Sequence, residues 1–357
     1  MKNFKSGLYI NQGYYKSFQP NFINKEWLLD NMEIITLLSK ADRMLGRLDM
    51  YSEHIPNIDL FISMHIMKEA TQSSNMEEAI LSKEDVPLDR RDDWMEVHNY
   101  INAMNEAVKM LEELPFSSRL IRNVHRILMN GVRGEHKQPG EFRKSQNWIG
   151  GSSINDAIFV PPTHNSIPEL MEDIEKFVHN DKLFFPELLK IALIHYQFEK
   201  IHPFLDGNGR TGRLMITLYL VSRGILKRPI LYLSDYLEKH RNSYYTNLMH
   251  VRVDNNIIDW FRFFLTGIIE TAENGVKTFE EILSLQKENE DKVKLLGSRS
   301  ANALKVLTEL YKRPITDANM VYTLIANLEK IGILSEVTGG KRGRVYILKK
   351  YFDIFNR

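Results

Sequence analysis

The sequence predicts a mainly α-helical protein with one small β-hairpin, followed by a C-terminal winged helix-turn-helix-like domain. Three patterns support this fold class. Apolar residues recur at spacings of three and four over much of the 357-residue chain, which is typical of amphipathic helices. A short apolar run, Ile158 to Val160, ends at two prolines and indicates a strand. Beyond residue 300, two helical patterns precede two short β runs that flank a basic, glycine-rich turn.

The N-terminal elements can be placed in order. An aromatic and polar stretch over residues 1–25 is expected to form an extended arm. A helix follows, because aliphatic side chains at helical spacing share one face: Ile34, Leu37, Leu38, Ala41, Leu45 and Leu48. Asn57 and Asp59 are candidate caps of a second helix that runs to about Ser74.

The central part of the chain is expected to be helical around one hairpin. Pro115 separates two helices within residues 91–131. The flap segment, residues 147–160, is predicted to form the hairpin. Five further helices are expected at 166–180, 186–200, 208–223, 235–252 and 256–285.

The C-terminal part has a different pattern. Helices are expected at 303–311 and 319–331, and strands at 333–337 and 345–348. We therefore divide the chain into four parts: an N-terminal arm and helix region (1–90), a helical core (91–280), a helical linker (281–299) and a winged-helix-like domain (300–357).

Composition excludes several classes of protein. The chain has no cysteine, so disulfides, thiolate catalysis and cysteine-ligated metal centres are excluded. No apolar run reaches the roughly 18 residues of a membrane span, and Met1 to Lys5 do not begin a secretory signal. We expect a cytoplasmic protein without membrane contact. The net charge of +1 argues against a uniformly basic nucleic-acid binder.

The stretch from His202 to Arg213 contains the candidate catalytic and phosphate-binding residues. Gly207 and Gly209 allow backbone N–H groups at a helix N-terminus to approach an anion closely. Arg210 and Arg213 lie one turn apart and suit phosphate oxygens. Asp206 is a candidate ligand for Mg²⁺, and His202 is a candidate general base. This combination is typical of phosphoryl or nucleotidyl transfer.

The same stretch resembles the Fic family motif, H-P-F-x-[D/E]-G-N-G-R-x-x-R, at every specified position. Two other regions are similar to parts of the family. The first is residues 139–143 together with the flap segment, and the second is Tyr244 to Leu248 together with Trp260 and Phe264. The resemblance covers about residues 25–270. It implies a Fic-type helical bundle with a β-hairpin flap, and AMP transfer from ATP with Mg²⁺ to a target protein's hydroxyl group. The tail resembles a domain commonly appended to this core.

The resemblance implies a role for each motif residue. His202 would act as the base, with Asn208 and Arg210 also in the catalytic set and Asp206 holding the metal. The residues implied to bind ATP and its phosphates are Gly207, Asn208, Gly209, Arg210, Arg213, Tyr244 and Tyr245. An extended target segment would pair with the flap by β-augmentation, at Ile149, Gly150, Phe159 and Val160.

Ser73 to Glu77 resemble the family's inhibitory motif. The resemblance implies that Glu77 pairs with Arg213, where the γ-phosphate would otherwise bind, and so restrains self-modification. Ser73 and Glu77 are four residues apart and would share a helix face. Glu78 follows where the family motif has Gly or Asn.

The sequence leaves alternatives open. Residues 300–357 contain 10 Lys+Arg and 5 Asp+Glu, against 37 and 41 in the rest of the chain. Lys341, Arg342 and Arg344 at the tip of the wing suit DNA phosphates, so a nucleotide-sensing DNA-binding regulator is one alternative. Removal of AMP, or transfer of another phosphate-linked group, is another. A solvated wing used for dimerisation to a homodimer or for protein contact is equally compatible.

Overall fold

The computed structural model describes residues 1, 3–55, 58, 61–62, 91–132, 136–297, 300–311, 315–316, 322–337 and 344–355. The chain divides into two compact units. Unit 1 comprises Met1–Gly46 and His98–Ala272, and unit 2 comprises Arg47–Val97 and Glu273–Arg357. The mainly helical fold class is confirmed, since the strands form only two small sheets in the described residues.

In unit 1, the extended arm predicted over residues 1–25 contains a β-hairpin. Strands β1 (Gly7–Asn11) and β2 (Lys16–Pro20) pair antiparallel, with Tyr9 opposite Phe18. The first helix, α1 (Met32–Ser52), starts in unit 1, and α2 (Arg91–Met110) ends in it. Strand β1 has no alternating pattern that would have predicted it, because four of its five side chains are exposed and only Gly7 is half-buried.

The middle of unit 1 is a helical bundle around one fully buried helix. Helix α3 (Ser118–Leu128) begins at Ser117, whose Oγ accepts from the Leu120 N–H, and α4 (Ile167–His179) follows a 3₁₀ turn at His164–Ser166. Helix α5 (Glu187–Ile201) is buried on nearly every face, including His195 and Lys200. A helix that is buried all round belongs in the centre of a core.

The rest of unit 1 packs around α5. Helix α6 (Asn208–Ser222) follows it directly. The expected helix at 235–252 is in fact two, α7 (Ser234–Lys239) and α8 (Arg241–Asp254), because His240 leaves the helical conformation with φ −109° and ψ 32°. Trp260 of α9 (Ile257–Lys294) donates its indole N–H to the Ala192 carbonyl of α5 at 2.9 Å, which anchors α9 to the core.

In unit 2, α9 continues through the charged stretch, so that most of the predicted linker 281–299 belongs to this one helix. The following elements are α10 (Ser300–Leu310), β3 (Ile315–Thr316), α11 (Tyr322–Lys330), β4 (Ser335–Glu336), β5 (Val345–Ile347) and α12 (Lys349–Phe355). Strand β5 is central, between β3 and β4. Strand β3 and helix α12 were not predicted, because each is too short for a recognisable period.

The described helices contain no segment with the length and hydropathy needed to cross a bilayer.

Candidate active site

The motif residues lie where one helix ends and the next begins. His202 ends α5 in the left-handed conformation (φ 49°, ψ 61°), and its N–H donates to the Phe198 carbonyl at 2.9 Å. The motif loop, residues 203–207, then turns the chain into α6. Gly207 caps α6 with φ 73°. A left-handed non-glycine residue is uncommon and is often found at functional sites.

Asn208 holds the motif loop in shape. Its side-chain Oδ1 accepts from the Phe204 N–H at 2.9 Å, and its Nδ2 donates to the Phe204 carbonyl at 2.8 Å. Asn147 donates to the same carbonyl at 3.1 Å. Asn208 is 2 % exposed, so its carboxamide stabilises the loop from within rather than pointing into solvent.

The N-terminal turn of α6, Gly207 to Arg210, has the features of an anion site. Thr211 fixes the start of the helix by donating its hydroxyl to the Gly207 carbonyl at 2.9 Å. A guanidinium nitrogen of Arg210 lies 3.4 Å from the Met129 sulfur. Together, the helix terminus and the arginines Arg210 and Arg213 present positive charge at one end of α6.

Asp206 lies immediately before this turn. Its Oδ1 accepts from the Gly207 N–H at 2.6 Å, while the residue is only half-buried. Among the described residues, no three His, Asp or Glu side chains cluster as a metal site would require. A single carboxylate suits Mg²⁺ that arrives with phosphates and keeps most of its ligands from them and from water. The residues present therefore fit a substrate-borne cation.

His202 is held in its neutral form. Burial, followed by the charge of Arg143, lowers the pKa of His202 to about 4. A backbone hydrogen bond with Glu199 acts in the opposite direction but does not offset burial. A neutral imidazole at pH 7 is the form that accepts a proton.

Arg143 ties the backbone around His202 together. It is 2 % exposed, and its guanidinium donates to the carbonyls of His202 at 3.0 Å, Ser145 at 3.0 Å and Pro162 at 2.6 Å. Its own N–H donates to the Pro203 carbonyl at 2.8 Å. One buried side chain thus joins the end of α5 to both sides of the flap segment.

A second buried histidine supports the other end of the motif loop. The Nε2 of His125, on α3, lies 2.9 Å from the Asp206 carbonyl, and its Nδ1 accepts from the Gly140 N–H at 2.8 Å. The ring stacks on Phe204 with centroids 3.7 Å apart and planes 5° apart. Burial lowers the pKa of His125 to about 4.

The two tyrosines that the resemblance implies bind ATP differ in environment. Tyr244 is 8 % exposed and Tyr245 is 54 % exposed. The Tyr244 hydroxyl lies 3.0 Å from His195 Nε2, and His195 Nδ1 lies 3.1 Å from the Gly212 carbonyl of α6. Because a carbonyl only accepts, Nδ1 carries the His195 proton and the Tyr244 hydroxyl donates to Nε2. Tyr244 is thereby linked to the first turns of α6, and Tyr245 presents its ring to solvent.

The strand pairing within the flap segment is shorter than predicted. Ile149 and Phe159 exchange two backbone hydrogen bonds, at 2.8 and 3.1 Å, but form only an isolated bridge. Gly150 turns the chain with φ 70°, where a Cβ would come within 2.6 Å of the Ile158 side chain. On the other side, the Phe18 N–H of β2 donates to the Val160 carbonyl at 2.9 Å.

Phe159 anchors the flap segment to the helices beneath it. It is 6 % exposed, and Lys200 Nζ and the Arg252 guanidinium lie 4.9 and 4.6 Å from its ring centroid. Such cation–π contacts stabilise a desolvated ring. Trp148 and Ile158, in contrast, are exposed.

Some predicted residues fall outside the described ones. These are the candidate caps Asn57 and Asp59 with most of the second helix that they would begin, Ser73 and Glu77 of the predicted inhibitory motif, and Lys341 and Arg342 of the predicted wing tip. Sequence reasoning also missed His125 and His195 as parts of the site. A signal existed for His125, which lies on the buried face of α3 with Ile121, Val124 and Leu128, and another for His195, which lies within the apolar run of α5. A histidine at an apolar position needs hydrogen-bond partners.

Comparison with known proteins supports these observations. Residues 115–220 match the Fic/DOC family, and residues 35–109 match the Fic/DOC family N-terminal region. A protein named protein adenylyltransferase Fic from Aedes aegypti is 30% identical over 173 residues, which is 46% of this chain and 32% of that protein. A protein of the same name from Drosophila erecta is 28% identical over 172 residues, with the same coverage. The chain thus spans about a third of the length of these curated relatives.

Solved structures share the fold. A Fic family protein from Desulfovibrio desulfuricans G20 superposes with a TM-score of 0.57 at 17% identity, covering 91% of this chain and 98% of that one. A Fic domain containing signaling protein from Bacteroides thetaiotaomicron gives 0.50 at 17% identity, covering 69% and 96%. The fold and site define a helical domain in which a helix N-terminus with two arginines lies beside a neutral histidine. The chain belongs to the Fic/DOC family.

Proposed function

We propose that the protein is an adenylyltransferase that transfers AMP from ATP to a Tyr, Thr or Ser hydroxyl of a target protein. The observation that carries the proposal is the motif loop, which has a neutral histidine at one end and an anion site with two arginines at the other. Relatives bearing the name protein adenylyltransferase support it.

In the proposed reaction, His202 accepts the proton of the target hydroxyl. The hydroxyl oxygen forms a bond to the α-phosphorus of ATP, and the bond from that phosphorus to the bridging oxygen breaks, releasing pyrophosphate. Arg210, Arg213 and the N–H groups at the start of α6 bind the phosphates and stabilise the charge that develops there. Because the pKa of His202 is about 4, its imidazole is unprotonated at pH 7 and has a nitrogen free of a proton to act as acceptor.

Asp206 would hold Mg²⁺ together with the phosphates. The bound ion would neutralise part of the charge on ATP. The half-buried carboxylate and its 2.6 Å hydrogen bond to the Gly207 N–H favour this role, because the bond fixes one carboxylate oxygen while part of the residue stays exposed.

We assign target docking to the flap segment. An extended target strand would add to the backbone beside Ile149, with Gly150 allowing close approach. The Val160 side already accepts a hydrogen bond from Phe18 of β2, and this favours the Ile149 side for the target. The exposed Trp148 and Ile158 would supply apolar contacts.

The proposed function includes a brake. Glu77 would pair with Arg213 and take the place of the γ-phosphate, so that ATP binds unproductively. Burial raises the pKa of the Glu199 carboxyl and the charge of Arg213 opposes that rise, so Arg213 already lies near one carboxyl group.

The test is incubation with Mg²⁺ and ATP labelled at the α-phosphate. We expect His202→Ala to lose label transfer by roughly 10²- to 10⁴-fold, because the proton acceptor is gone, while ATP still binds. His54→Ala is the control, since His54 is exposed and lies outside the site. Equal labelling by wild type and His202→Ala would exclude the proposed reaction.

A further inference from the structure

We propose that His125 is a positioning residue that orients the Asp206–Gly207 peptide, and through it the Asp206 carboxylate and the start of α6. This role rests on the proposed function, because it concerns how that site is held ready for a polyphosphate.

The hydrogen bonds determine how the His125 ring is protonated. Its Nδ1 accepts from the Gly140 N–H at 2.8 Å, so that nitrogen carries no proton. Its Nε2 therefore carries the proton and donates to the Asp206 carbonyl at 2.9 Å. Both ring nitrogens are used, and the stack on Phe204 at 3.7 Å fixes the ring plane.

Peptide planarity transmits this contact to the site. In a trans peptide the carbonyl and the following N–H point in opposite directions. Since His125 holds the Asp206 carbonyl, the Gly207 N–H is directed away from the ring. That N–H donates to Asp206 Oδ1 at 2.6 Å, so the orientation of the peptide also fixes the carboxylate.

The backbone at Gly207 packs closely against Met129 and His125. A Cβ at Gly207 would come within 2.7 Å of the Met129 sulfur and 3.2 Å of His125 Nε2. The imidazole thus lies directly against the backbone at the start of α6. Any aromatic ring at position 125 could fill the space beside Gly207. Only histidine also places a hydrogen-bond acceptor at the Gly140 N–H and a donor at the Asp206 carbonyl.

Two half-replacements separate these bonds in the full-length protein. The side-chain amide of His125→Gln reaches the position of Nε2 and keeps a donor for the Asp206 carbonyl. The carboxamide oxygen of His125→Asn reaches the position of Nδ1 and keeps an acceptor for the Gly140 N–H. Each variant loses one buried hydrogen bond, so we expect similar losses of thermal stability.

The measurement is calorimetric affinity for inorganic tripolyphosphate without metal, and for ATP with Mg²⁺. We expect binding by His125→Asn to weaken by about 5- to 10-fold, and binding by His125→Gln to stay within about 2-fold of wild type. If ligand affinity falls equally in the two variants, in proportion to their loss of stability, the positioning role of His125 is overturned. Ligand binding by the wild type would in that case still support the proposed function. A wild type that binds neither ligand overturns both.

The protonation of the His125 ring can also be measured in the wild type, so the test does not depend on the folding of a variant. Nitrogen-15 NMR of the imidazoles at pH 7 is expected to show His125 with a protonated Nε2 and an unprotonated, hydrogen-bonded Nδ1. A protonated Nδ1 would contradict the proposal, because the Gly140 N–H could then not donate to it.

Discussion

At the residue scale, burial sets the chemistry of the site. Burial lowers the pKa of His125, His195 and His202 to about 4 in each case. All three are therefore neutral at pH 7, but two of them use their nitrogens differently: His125 protonates Nε2, and His195 protonates Nδ1. His125 and His195 have partners for both ring nitrogens, and His202 is the histidine to which we assign proton transfer in the proposed function.

The depressed pKa of His195 makes stability depend on pH. The unfolded chain binds a proton at His195 below about pH 6.5, and the folded protein does so only near pH 4. Between these values the unfolded state holds the extra proton, so acid lowers the free energy of unfolding, by about 1.4 kcal/mol per pH unit for this one group. Arg213 and Lys200 act in the same direction as burial.

Urea unfolding of wild type and His195→Gln across pH 4.5–7 checks this expectation. The variant should be less stable at pH 7 but show a shallower dependence on pH. His54→Gln serves as the control, because His54 is exposed. Parallel curves for wild type and His195→Gln would contradict the assignment of a neutral, buried His195.

At the element scale, the junction of α5 and α6 forms the site. The sequence predicted these helices at 186–200 and 208–223, and the structure has them at 187–201 and 208–222. The agreement follows from strong local signals: continuous apolar pattern in α5, and glycines between the helices. The side-chain contacts that shape the motif loop come from α3 and from residues 140–147, which are distant in sequence.

Gly207 and Gly224 offer a matched pair for testing that junction. Both have positive φ, 73° and 65°, so an alanine meets a similar backbone penalty of about 1–2 kcal/mol at either position. A Cβ at Gly207 meets the Met129 sulfur at 2.7 Å, whereas a Cβ at Gly224 meets nothing within 4 Å.

We therefore expect Gly207→Ala to lower the free energy of unfolding by a further 1–3 kcal/mol, roughly, relative to Gly224→Ala. Chemical denaturation at pH 7 measures the difference. Equal losses in the two variants would mean that the contact under Gly207 relaxes at no cost, and would remove the packing argument for glycine at this position.

At the scale of the whole molecule, the proposed function involves parts of the chain far from the motif loop. The strand β2 at the N-terminus bonds to the flap segment through Phe18, and the predicted inhibitory residues Ser73 and Glu77 precede the helical core. Three features stay predictions: the domain limits at 90, 280 and 299, DNA contact through the wing, and a homodimer.

Release of the brake is the prediction for the whole molecule. Glu77→Gly should raise self-modification by roughly 5- to 100-fold, because Arg213 would become available to the γ-phosphate. Glu78→Gly is the matched control, one residue away with the same charge change. Intact-mass measurement and peptide mapping after incubation with ATP and Mg²⁺ report the group transferred and the acceptor residue. An equal increase in both variants would point to loss of local helix structure instead of a specific pairing.

Most of the fold and the motif could be predicted because their signals are local. Amphipathic periodicity located most of the helices, and the spacing of histidine, acid, glycines and arginines indicated the candidate site. The predictions were wrong where signals were short or absent: β1 and β2 were missed because β1 is almost wholly exposed, and the helix at 235–252 is broken at His240. The flap forms a bridge instead of a regular hairpin, since the glycines at 150 and 151 turn it sharply.

The sequence by itself determined the family, the mainly helical class and the identity of the motif residues, because these depend on residue type and spacing. Only the tertiary structure decided what each side chain does there. It directs Asn208 inward to Phe204, buries Tyr244 against His195, and brings His125 and Arg143 to the backbone of the motif loop. The physical reason is that burial removes water, so each polar group must find its partner in a segment that spacing along the chain does not specify.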